Sequence, residues 1–278
     1  MNSPNWFSLK QLTNVFLILA LTISVHADDT EIYADNTPPP PPNILFILDF
    51  SGSMGSNISG TTTSRAATLR EAFKTVMSDE ELKANVGILG FSGQRASSSG
   101  ISSSNLHGVT FPVSPVNDLA RDTLLSNEEA IGSNGTPFTL DQDSLTDPLP
   151  DELNRDYLLR LLDEWSPGGG TPLVDAYYEA ALYFRGEPSK WGQLTPNENS
   201  SAHPSTYQVL PGSTNAVYKS PVGECSNNVI VLLSDGVPSG TRAKNEIGNM
   251  TGESCTGLCG TELAKFLDTN DQNADVDG

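Results

Sequence analysis

An α/β fold with a mainly parallel central sheet flanked by helices is predicted by three observations. Residues 43–49 (NILFILD), 86–91 (VGILGF) and 229–235 (VIVLLSD) are short continuous apolar runs, the pattern of strands buried on both faces. Segments with helical apolar spacing alternate with them, as βα units require. Two of the runs end in a carboxylate, Asp49 and Asp235. In open parallel sheets the ligand site lies beyond the carboxyl ends of the strands, so these two carboxylates are the first candidates for function.

The elements follow in order. Residues 1–27 carry no Asp or Glu and one cation, Lys10, ahead of the apolar run 15–25. Val25-His26-Ala27 has the small-x-small ending of a signal-peptidase site. The run is shorter than the roughly 20 residues that span a bilayer. Residues 1–27 therefore read as a signal peptide cleaved after Ala27, with export as the consequence and no stable membrane span afterwards. Residues 28–42 form an acidic and Pro-rich spacer, because Pro38 to Pro42 favour polyproline II. Folded structure is expected over 43–278.

Within it, Ala67, Leu69, Phe73, Val76 and Met77 give residues 64–77 a partial apolar helix face. Residues 92–150 are rich in Ser, Gly, Asn and Pro and read as an elaborated loop insertion, with one short strand near 109–113. Helical spacing returns over 151–165 and is broken by Ser166 to Gly170. A further helix is expected over 172–184, since proline suits a first turn. Residues 186–228 read as a second, irregular insertion. Another helix starts near Thr261.

The charge narrows the partners. The 278 residues contain 15 Lys plus Arg against 34 Asp plus Glu, a net charge of -19, with no basic run to hold a phosphate backbone. Nucleic acid is excluded as a partner, and an anionic membrane surface is disfavoured. Export sets an oxidising context for Cys225, Cys255 and Cys259. Three cysteines cannot all pair within one molecule; Cys255 and Cys259 are close enough to bridge locally, and Cys225 is open to either of them or to a residue outside this chain. Beyond the signal only His107 and His203 remain, without C-x-x-C or H-E-x-x-H, which argues against structural zinc.

The chemistry concentrates in Asp49-Phe50-Ser51-Gly52-Ser53, one carboxylate and two hydroxyls in a turn at the sheet's carboxyl edge. Gly52 relieves crowding there, so that neighbouring oxygens can converge. Such a donor set suits a hard cation such as Mg2+, which uses one or two carboxylates and keeps several waters. Asp235, and Thr171 after the glycine run, are placed to complete it from two other loops.

Asp49-x-Ser51-x-Ser53, Gly169-Gly170-Thr171-Pro172-Leu173 and Ser234-Asp235-Gly236 resemble, in order, the three loops of the metal-ion-dependent adhesion site of von Willebrand factor type A domains. The resemblance implies a Rossmann-like domain over 43–278, with insertions at about 92–150 and 186–228 and further strands past residue 278. It also implies Mg2+ or Mn2+ held directly by Ser51 and Ser53, by Thr171 when ligand is engaged, and largely through water by Asp49 and Asp235. A partner's Asp or Glu carboxylate would fill the open position. Ala180 to Gly186, Tyr218 to Pro221, Cys225, Ser234 to Pro238 and Thr261 to Asp271 further resemble the amino-terminal region of type IV pilus assembly and tip-associated adhesin proteins of the PilC/PilY type. That resemblance implies pilus subunits or a host surface as partner, and a location in the periplasm, at the outer membrane or at the pilus tip.

Residues 273–278 (NADVDG) also follow the first half of an EF-hand-like loop, so Asp271, Asn273, Asp275 and Asp277 are candidate Ca2+ ligands. The expected function is binding, not catalysis. A secreted von Willebrand A module unrelated to pili is the alternative, and a metal-dependent hydrolase is weaker because neither His107 nor His203 lies in the metal motifs.

Overall fold

A computed structural model describes residues 39–95, 106–125, 148–191, 202–210, 216–223 and 226–269. The Ca2+ loop candidates Asp271, Asn273, Asp275 and Asp277, and Cys225, lie outside the described residues, as does the signal segment 1–27.

The central sheet has four strands: β1 (Asn43–Asp49), β2 (Asn85–Phe91), β4 (Leu106–Pro115) and β8 (Asn228–Leu233). Their order is β4-β2-β1-β8. β1 pairs in parallel with both β2 and β8, and only β4 runs antiparallel, against β2. The fold is α/β with a mostly parallel sheet, compatible with a Rossmann-like arrangement. Two short pairs lie outside it, β3 (Gln94–Arg95) with β5 (Trp165–Ser166) and β6 (Tyr207–Val209) with β7 (Ala216–Tyr218).

Strand alternation divides the apolar side chains between two cores. Phe46 and Leu48 point to the face covered by α1 (Arg65–Met77) and α3 (Asn154–Asp163), where Leu69, Phe73, Tyr157, Leu158 and Leu161 are buried. Leu45 and Ile47 point to the other face, covered by α4 (Leu173–Arg185), α5 (Lys244–Thr251) and α6 (Gly260–Thr269). A short helix, α2 (Ala120–Leu125), closes the first core. Ser64 caps α1, its hydroxyl accepting from Ala67 N at 3.2 Å. Gly186 ends α4 in the left-handed conformation, φ 67°, which costs glycine nothing. Cys255 and Cys259 form a disulfide between α5 and α6, with Cα atoms 5.4 Å apart.

Two expectations are corrected. The run at 229–235 reads as a strand buried on both faces, but β8 ends at Leu233 and is an edge of the sheet among the described residues. Val229 and Leu232 are 43% and 39% exposed, because β1 is the one described strand that pairs with β8. The segment 186–228 is not merely an irregular insertion. It carries the β6–β7 hairpin, whose Tyr207 and Tyr218 rings stack at 4.9 Å and belong to the α4-side core.

Gly90 on β2 is a packing requirement, since a Cβ there would overlap the Trp165 ring. Gly90→Val is expected to cost about 3 kcal/mol by overpacking. Urea unfolding measures it, and an unchanged midpoint would contradict this packing.

Candidate metal centre

Asp49 is the last residue of β1 and is fully buried. Its Oδ1 accepts from Ser51 N at 2.7 Å and its Oδ2 from Ser234 Oγ at 2.6 Å. The carboxylate thereby fixes the turn after β1 and ties it to the end of β8. From Ser51 the chain enters a single 3-10 turn, Gly52–Gly55, which brings Ser51 Oγ and Ser53 Oγ to 3.1 Å from each other. Ser53 Oγ donates to Asp235 Oδ1 at 2.8 Å.

The glycine run is bonded to the same turn. Gly52 N donates to Gly169 O at 3.0 Å and Gly168 N to Phe50 O at 2.8 Å, while Gly93 N donates to Gly168 O at 2.8 Å. Gly93 has φ 72° and lies so close to Phe50 and Ser166 that no side chain fits. These bonds deliver Thr171 to the site. A Cβ built on Gly236 would lie 3.7 Å from Thr171 Oγ1 and 3.8 Å from Ser53 Oγ, so Gly236 sits in a cradle between the two hydroxyls. Ser239 locks the second loop to the third, donating from N to Thr171 O at 2.9 Å and from Oγ accepting Thr171 N at 3.2 Å.

The structure therefore brings Asp49, Ser51, Ser53, Thr171 and Asp235 together at the carboxyl end of the sheet. Three contributors, Ser239, Asp175 and Arg65, lie outside the three sequence motifs, and Ser234 of the third motif has a bonding role that the motif alone does not show. Ser234 and Ser239 orient Asp49 and Thr171 as described. Asp175, buried in the first turn of α4, accepts from Arg242 N at 2.8 Å and Ala243 N at 3.1 Å and anchors the far end of the third loop. Arg65, first residue of α1, pairs with Asp235 Oδ2 and lies 3.4 Å from Ser53 O. An acid just after a Thr-Pro helix start was a signal for Asp175. Nothing in the sequence marks Arg65.

Among the described residues no three His, Cys, Asp or Glu side chains form a metal cluster. The cluster here consists of two carboxylates and three hydroxyls, a set chosen for hard cations and not for zinc. Its spacing fits: adjacent ligands of an octahedral ion, each at about 2.1 Å, lie about 3 Å apart, and the Ser51 and Ser53 oxygens are 3.1 Å apart. His203 lies elsewhere, its Nδ1 bonded to Ser205 Oγ at 2.7 Å.

Comparison of the chain with protein-family models, curated proteins and solved structures finds no match. Among the described residues no helix is long and apolar enough to cross a membrane.

Proposed function

We propose that the chain is a metal-ion-dependent adhesion or assembly module of von Willebrand A type, which binds a carboxylate-bearing protein partner. The observation that carries this reading is the convergence of Asp49, Ser51, Ser53, Thr171 and Asp235 from three loops beyond the strand ends.

Ser51 and Ser53 would hold Mg2+ or Mn2+ through their hydroxyls, with Thr171 at the rim and the two aspartates acting largely through water. The bound ion supplies an open coordination position for an external carboxylate. Neutral hydroxyls favour that step because they leave the site with residual positive charge. Asp49 has a second task, keeping Ser51 in place through its backbone N–H. The reading is of a binding module, not an enzyme. The resemblance of residues 180–186, 218–221 and 234–238 to pilus-associated proteins makes pilus subunits or a host surface the partner of choice, with the exported chain acting in attachment, pilus biogenesis or twitching motility.

Calorimetric titration of the purified protein with Mn2+ tests the metal reading. A saturable site is expected, weakened more than about tenfold in the Ser51→Ala/Ser53→Ala double variant, since loss even of residues behind the ligands commonly costs that much. Absence of saturable binding to the wild type would sink it. Deleting the gene is expected to reduce piliation or twitching. Normal piliation, motility and attachment, with cation binding intact, would leave a von Willebrand A module serving another partner.

A further inference from the structure

The Arg65–Asp235 pair points to control of the site by the chain itself, an inference that rests on the metal reading above. Arg65 Nη1 contacts Asp235 Oδ2 and reaches the carbonyl of Ser53, so one guanidinium straddles the first and third loops. Ser53 Oγ already donates to Asp235 Oδ1 at 2.8 Å. Both oxygens of the third-loop carboxylate are therefore engaged by groups of this chain.

The placement of Arg65 is not explained by the needs of its helix. A cation in the first turn of a helix opposes the positive end of the helix dipole. The capping requirement of α1 is met by Ser64, and the backbone N–H of Arg65 is satisfied by Ser56 O. The side chain is 41% exposed, so it can leave Asp235 for solvent without opening a cavity, whereas the Asp235 side chain is 12% exposed and remains bonded to Ser53 Oγ. A divalent ion beside the Ser51 and Ser53 hydroxyls would face this guanidinium at close range. The two positive charges repel, and both draw on the same carboxylate.

We propose that Arg65 is an intramolecular competitor of the divalent cation for Asp235, so that the Arg65–Asp235 pair and cation loading are alternatives. Arg65 thus sets the cation concentration at which the site becomes competent for an acidic partner. Without the arginine, Asp235 offers its full charge to the site and no pair has to be broken.

The test is Mn2+ affinity by calorimetry for wild type, Arg65→Gln, Arg65→Lys and Asp49→Ala at one ionic strength. Arg65→Gln is expected to bind about tenfold more tightly than wild type, equivalent to about 1.4 kcal/mol, and Arg65→Lys, which keeps the charge, within about threefold of wild type. Urea unfolding without added cation, run on the same samples, checks that Arg65→Gln is folded; should it not be, Arg65→Met in its place carries the same expectation. Equal or weaker binding by the uncharged variant, while Asp49→Ala abolishes the wild-type signal, overturns the competition and leaves the metal reading standing. No binding by any of the four proteins overturns both.

Discussion

Asp49→Asn is expected to abolish measurable Mn2+ binding while leaving stability nearly unchanged, whereas Asp49→Ala abolishes binding and also lowers stability. The distinction follows from the two jobs of the carboxylate. Its Oδ1 accepts the buried backbone N–H of Ser51 and its Oδ2 accepts the Ser234 hydroxyl. An asparagine can keep both bonds, its carbonyl oxygen taking the N–H and its amide donating to a Ser234 hydroxyl that turns to accept. Only the charge is lost, and the charge is what attracts a divalent ion. Alanine in addition leaves the Ser51 N–H buried without an acceptor, at about 1–3 kcal/mol. Calorimetry reads the first effect and urea unfolding the second. Binding by Asp49→Asn as tight as by wild type would remove Asp49, and with it the adhesion-site reading, from consideration.

That contrast also explains which parts of the site were legible in the sequence. Asp49, Ser51 and Ser53 occupy one turn, and the strand ahead of them is marked by a continuous apolar run. Thr171 and Asp235 follow equally visible punctuation, a glycine run and a second apolar strand. Arg65 and Ser239 act through side chains that meet loops distant in the chain, and no local spacing encodes such a meeting. The same limit applies to the fold. β4 contains Pro112 and Pro115 and shifts register three times against β2, so its alternation is broken, and the two prolines are tolerated because it is an antiparallel edge among the described strands. α5 buries only Ile247 and carries Gly248, too little to give a helical period. β8 shows the converse: a strand that is apolar on both faces reads as central, although the described sheet leaves it at an edge.

Glu179→Ala is expected to be the most destabilising single change outside the site. Glu179 lies in the middle of α4 with no exposed surface. Its carboxylate accepts from Ser189 Oγ at 2.6 Å, Tyr218 OH at 2.6 Å, Lys190 N at 3.1 Å and Trp191 N at 3.2 Å. It therefore fastens both the segment after α4 and the β7 strand to the helix. Alanine leaves two backbone N–H groups unpaired and a cavity behind them, at about 3–5 kcal/mol, a large part of a typical domain's stability. Glutamine is different. Its carbonyl oxygen can accept from Lys190 and Trp191, and its amide can donate to the hydroxyls of Ser189 and Tyr218, which turn to accept.

The two variants separate geometry from charge, and pH completes the argument. Burial, outweighing the hydrogen bonds from Ser189 and Tyr218, raises the pKa of Glu179 above the ordinary glutamate value. A raised folded-state pKa contributes stability that is fully present below the unfolded value and is lost as pH rises through the folded value. Glu179→Gln lacks that loss. Paired urea curves at about pH 4 and about pH 8 should show Glu179→Gln gaining on wild type as pH rises across the window that opens at the ordinary glutamate value. A gap that stays constant, or that widens in favour of wild type, would mean that the charged carboxylate is preferred by its pocket, and that the hydrogen bonds to it outweigh its burial.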